Sequence, residues 1–204
     1  MASTAFRQAL PFVLRWEGGY VNHPDDPGGA TNKGVTQKVY DAWRAKNGKL
    51  PQSVKLLADE EMHAIYESGY WLPPRCDRLA DALDLVQFDT AVNMGVGRAV
   101  RFLQTAVGAA PDGDFGPGTE KCVANCDSGD ALVTYCDARE AYYRRLVDKK
   151  PALGVFLKGW LNRLNALRKA AGLPGYESAR ELDLGEQGFI AQIGHPGEDE
   201  SYDI

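Results

Sequence analysis

Between Asn22 and Gly34 the chain reads Asn-His-Pro-Asp-Asp-Pro-Gly-Gly-Ala-Thr-Asn-Lys-Gly. The stretch holds too many glycines and prolines for a helix and too few apolar residues for a core strand. Elsewhere apolar residues recur mostly at helical spacing, so the pattern predicts a mainly α protein with this segment as an exposed turn or short hairpin. Ahead of it, Phe6, Ala9, Leu10, Val13 and Leu14 share one helical face behind the cap candidates Ser3 and Thr4. Pro11 removes a hydrogen bond inside that helix and predicts a kink or a break, while Gly18 suits a left-handed closing residue. After it, Thr36 caps a helix with Val39, Tyr40 and Trp43 that stops near Gly48, and Asp59 caps one with Met62, Ile65 and Tyr66 that stops near Gly69. Further helices are expected over about 81–93, 96–107, from 119, over 130–148 and over 153–171, the last halted by Gly172 and Pro174. The 81–93 segment is apolar on most faces and should lie centrally.

The junction of the first helix with the Gly/Pro segment carries two carboxylates in contrasting surroundings. Glu17, in Trp16-Glu17-Gly18-Gly19-Tyr20, falls at the negative end of the helix between aromatic rings. Both features favour the protonated form that a general acid needs. Asp26, on the polar loop, is expected to stay hydrated and ionised, where it can activate water or stabilise positive charge on a sugar. The hydroxyl of Thr31 or Thr36 could position that water. Acid/base cleavage of a sugar bond requires such a pair. Tyr20, Tyr70 and Trp71 offer rings for stacking on sugar faces, and Asn93, polar on a buried helix, could reach a substrate amide.

Glu17-Gly18-Gly19-Tyr20, the run Asp26-Pro27-Gly28-Gly29-Ala30-Thr31-Asn32-Lys33-Gly34-Val35-Thr36, and their separation resemble the peptidoglycan lysozymes of glycoside hydrolase family 108, found as phage endolysins and bacterial wall hydrolases. The blocks Gly69-Tyr70-Trp71, Phe88-Asp89-Thr90-Ala91-Val92-Asn93-Met94-Gly95, Asp112-Gly113-Asp114-Phe115-Gly116-Pro117 and Gly159-Trp160-Leu161-Asn162-Arg163 extend the resemblance over about residues 5 to 172. It implies a lysozyme-like helical fold and an N-acetylmuramidase with Glu17 as acid and Asp26 as second carboxylate. Thr31 is implied as the third residue, with Thr36 as the alternative. It also implies a catalytic region over 1–92, a helical peptidoglycan-binding region over 93–172 packed onto it, no metal or organic cofactor, and accumulation of a phage enzyme in the host cytoplasm before release to the wall.

A chain of 204 residues with 44% hydrophobic content can bury a sizeable core. No stretch approaches the ~20 apolar residues of a membrane span, and Met1 to Leu14 lacks the pattern of a signal peptide. Cys76, Cys122, Cys126 and Cys136 are too sparse for a disulfide framework and are expected as reduced, mostly buried thiols. The Asp112-Gly113-Asp114 turn fails as a calcium loop, since Gly116 and Val123 stand where ligands belong. Residues 173–204 hold eight acids and one base, −7 of the net −5, so the body is +2 and the acidic end is expected to be extended. Peptidoglycan is the expected partner of a monomer, without nucleic acid or stable membrane insertion.

Overall fold

The computed structural model describes residues 3–22, 29–80 and 82–176, and the fold is mainly α and lysozyme-like. Helix α1 (Thr4–Trp16) starts where the Ser3 hydroxyl accepts from the Phe6 amide at 3.2 Å. Pro11 does not divide it. The residue lies on the exposed face, where water can serve the carbonyl that its missing N–H leaves over. The helix also ends differently from expectation. Glu17 itself turns the chain out, with extended backbone (φ −91°, ψ 135°) and its N–H on the Leu14 carbonyl, so a left-handed Gly18 is not what stops it.

The hairpin falls at the end of the Gly/Pro segment. Strands β1 (Thr31–Asn32) and β2 (Val35–Thr36) pair antiparallel about Lys33 and Gly34, which both have positive φ (49° and 75°). That two-residue turn matches the natural twist of paired strands. Val21 and Thr31 exchange backbone hydrogen bonds at 2.8 Å, which ties the chain before the Gly/Pro loop to the hairpin after it. Asn32 donates to the Val54 carbonyl and docks the hairpin on a short 3-10 turn at Val54–Leu56.

Helix α2 (Gln37–Lys46) is capped by Thr36, whose hydroxyl accepts from the Val39 amide. Helix α3 (Asp59–Tyr66) begins with Asp59 inside its first turn, and Ala58 holds the cap position. Asp59, Glu60 and Glu61 therefore act on the helix dipole and not as a side-chain cap. The helix runs on into a π-helical turn, Glu67–Trp71. The remaining helices are α4 (Leu83–Met94), α5 (Val96–Val107), α6 (Pro117–Asn125), α7 (Ser128–Lys149) and α8 (Gly154–Ala170).

Among the described residues the apolar core forms two clusters. One gathers Phe6, Leu10, Val13, Tyr40, Ile65, Tyr66, Trp71 and Phe88 around α1 and α3. The other gathers Phe102, Leu103, Leu132, Tyr135, Leu164 and Leu167 around α5, α7 and α8. Helix α4 supplies Phe88 to the first and Leu83 and Val86 to the second, the central position its apolar faces predict. Each such side chain contributes ~1.5–3 kcal/mol by leaving water.

Cys76 and Cys136 are buried and Cys122 and Cys126 half-buried, so burial holds for two of the four thiols. Burial raises the Cys136 thiol to a pKa of about 11. The acidic end is docked at its start: Leu173 and Tyr176 pack on the second cluster, and the Tyr176 ring lies 4.0 Å from the Arg168 guanidinium. Residues 177–204, with Leu182, Leu184, Phe189, Ile190 and Ile193, lie outside the described part. No helix of the described residues is long and apolar enough to cross a membrane.

Candidate active site

Glu17 is gripped from two sides. The Arg163 guanidinium, from α8, donates through Nη1 to Glu17 Oε1 at 2.9 Å. On the other side stands the hairpin turn, where a Cβ on Gly34 would lie 2.9 Å from Glu17 Oε2 and would overlap the Tyr66 hydroxyl. The Tyr66 hydroxyl donates to the Lys33 carbonyl at 2.8 Å, which locks the turn against α3. Glu17 therefore sits with 19% of its side chain exposed, beside an open groove of about 400 Å³ that Leu14, Gly18, Gly19, Lys33, Asp59, Met62 and His63 also line. The surroundings are not the purely apolar ones that Trp16 and Tyr20 suggested, because an arginine from the far end of the chain has joined them.

Behind Arg163 lies a buried polar network. Its Nε donates to Asp89 Oδ1 at 2.9 Å, and Nη2 lies 2.8 Å from the same oxygen without hydrogen-bond alignment. Asp89 is fully buried and takes Arg139 Nη1 on its second oxygen at 2.7 Å. Burial alone would raise the Asp89 pKa, but the charges of Arg163 and Arg139 hold it below the usual carboxylate range. Arg139 also donates to Thr90 and Asn93, and Tyr143 donates to Asn93 at 2.7 Å.

The expected site residues divide on these contacts. Asp26 lies outside the described residues, and its flanks, Val21 and Thr31, are the bridged pair. Thr31 is half-buried on β1, opposite Thr36 in the hairpin register. The Thr36 hydroxyl accepts from the Val39 amide and so caps α2. Tyr70 is half-buried against Tyr66, and its phenol pKa is raised by burial and then by the charge of Glu17, so the two are neighbours. Tyr20 is 41% exposed, with the Lys55 ammonium 5.5 Å from its ring.

Two expectations need correction. Trp71 is 1% exposed, edge-on to Phe6 and Phe88 at 5.5 and 5.4 Å, and offers no face to a sugar. Asn93 has its carbonyl oxygen occupied by Arg139 and Tyr143 and is a member of the buried network. Sequence reasoning also misses Gly34, Tyr66, Asp89 and Arg163 as site residues. All but Tyr66 lie within motif blocks, yet nothing local shows that Arg163 on α8 meets Glu17.

Gly34→Ala tests the grip directly. A left-handed backbone costs an L-residue ~1–2 kcal/mol, and the new methyl must displace Glu17 or Tyr66. Because a displacement near 1 Å can cost ~10²-fold in rate, kcat is expected to fall by about 10- to 100-fold. Thermal unfolding and initial rates on one preparation separate the two effects.

The family model described as glycosyl hydrolase 108 matches residues 10–95, and one described as a predicted peptidoglycan domain matches residues 98–165. Among solved structures the chain is similar to Brucella abortus SagA, with 35% identity, a TM-score of 0.69, and coverage of 88% of this chain and 100% of that one. No curated protein matches. With a relative at that identity matched over its whole length and both models in chain order, the protein belongs to glycoside hydrolase family 108 and is a peptidoglycan-acting hydrolase.

Proposed function

We propose that this hydrolase is an N-acetylmuramidase, cleaving the β-1,4 bond between N-acetylmuramic acid and N-acetylglucosamine. Glu17 protonates the leaving oxygen, and Asp26 acts across the sugar ring as base or nucleophile, with Thr31 positioning the water. The observation that carries this reading is the clamped Glu17 carboxyl beside an open groove, in a chain of family 108. The Val21–Thr31 bridge supports the role of Asp26, since both ends of its loop are tied at the hairpin that packs on Glu17. Tyr20 and Tyr70 remain the aromatic candidates for sugar contact. Residues 1–92 carry the carboxylates, 93–172 pack against them and bind the wall, and 173–204 form the acidic extension. The protein works as a monomer and, in a phage setting, waits in the host cytoplasm until a separate pore admits it to the wall.

Product chemistry tests the reaction. Gram-negative peptidoglycan digested by the wild type and then reduced with borohydride should give fragments with reduced muramic acid ends by mass spectrometry. Anhydro ends would make the enzyme a lytic transglycosylase, and reduced glucosamine ends a glucosaminidase. A folded wild type that releases nothing would point to a binding or secretion-assisting protein.

A further inference from the structure

We infer that Arg163, contributed by the region matched as a peptidoglycan domain, is a positioning residue for the acid and assigns the catalytic proton to Glu17 Oε2. This rests on the proposed role of Glu17. A guanidinium has donors only, so Glu17 Oε1, which receives Arg163 Nη1 at 2.9 Å, serves as an acceptor in either protonation state. The carbonyl oxygen of a carboxylic acid is the better acceptor, so this contact places the transferable proton on Oε2, the oxygen that faces the hairpin turn at Gly34. When the O–H bond at Oε2 breaks and the proton passes to the glycosidic oxygen, its electron pair stays on Glu17. The carboxylate so formed already holds a cation at hydrogen-bond distance, and that interaction strengthens as the charge develops.

The arginine cannot turn away easily. Its side chain is 8% exposed, and its Nε donates to Asp89, which is in turn held on its other oxygen by Arg139. Two buried arginines stand against one fully buried aspartate, so the cluster carries one excess positive charge, which favours the carboxylate that Glu17 becomes once its proton has left. Arg163 and Glu17 are separated by 146 positions in sequence, and the described geometry of the acid is complete only with α8 in place. The region beyond residue 98 is on this reading part of the catalytic unit as well as a means of holding the wall.

The test compares wild type, Arg163→Gln and Arg163→Lys in the full chain, with kcat and KM on soluble glycan strands and thermal unfolding of each. Arg163→Gln should lower kcat by about 10- to 100-fold with KM within about twofold, and Arg163→Lys should recover part of kcat, because lysine restores the charge but cannot span Glu17 and Asp89 together. A folded Arg163→Gln with wild-type kcat overturns the inference. If the glutamine variant fails to fold, Arg163→Lys decides: a kcat loss of several-fold at unchanged KM supports the role, and wild-type kcat overturns it. A wild type that cleaves nothing overturns the muramidase reading itself, a result distinct from either.

Discussion

Glu17→Gln is expected to lower the rate of glycan cleavage by about 10³-fold while the protein stays folded, because glutamine keeps the shape and loses the proton. The geometry makes the substitution unusually clean. Glutamine can offer its carbonyl oxygen to Arg163 Nη1 and turn its amide toward the hairpin, so the contact at 2.9 Å survives in form. Arg163 also keeps its hydrogen bond to Asp89, so its place is held, although the cluster's one excess positive charge loses the carboxylate beside it. With the pair only 8% and 19% exposed, the lost ion pair should weaken stability by ~1–3 kcal/mol, less than a fully buried pair because glutamine keeps the hydrogen bond. Release of reducing ends from purified peptidoglycan measures the rate, and thermal unfolding checks the fold. A variant that retained a tenth or more of wild-type activity would move the acid elsewhere, and Glu61 would not replace it, since that carboxylate is held by Arg44, Lys49 and the Tyr40 hydroxyl.

What can be read from sequence follows from how local each interaction is. Helices α2, α4, α5, α7 and α8 lie close to the positions their apolar periodicity and caps indicate, because those signals act within a turn or two. The hairpin is legible as a segment, and its two-residue turn at Lys33–Gly34 gives it a defined end. The errors cluster at helix boundaries near the site. Asp59 stands inside α3 and not at its cap, and Glu17 leaves α1 in extended conformation. Trp71 and Asn93 mislead for a different reason: residue type suggests sugar binding in both, but only tertiary packing decides which face is wet. Trp71 is carried by a π-helical turn into the aromatic core. Arg163 is the extreme case, since its meaning depends on a contact with Glu17 that no periodicity encodes.

Arg139→Met should cost about 3–5 kcal/mol of stability, more than Glu17→Gln or Gly34→Ala, and lower the unfolding temperature by ~10 °C. Methionine fits the stem but supplies no donors. Asp89 would keep Arg163 and lose the cation on its other oxygen, and Thr90, Asn93 and Tyr143 would each lose a partner inside the core. The contrast is Arg144→Met, which breaks an exposed pair with Glu140 one turn away on α7 and should change stability by less than ~0.5 kcal/mol. The same pair of variants has a signature in acid. The Asp89 carboxyl lies below its unfolded value because Arg163 and Arg139 outweigh burial, so the stability it contributes is fully present above the unfolded pKa of ~4 and is lost as pH falls through the folded pKa. Removing Arg139 brings the folded pKa back up, so the variant gains less from ionised Asp89 and begins to lose it at higher pH. Unfolding temperatures taken across the acid range should therefore show Arg139→Met failing before wild type and Arg144→Met tracking it. If all three curves fell together, the buried pair would not be what links α4 to α7, and the rigidity of Arg163 would have to come from packing alone.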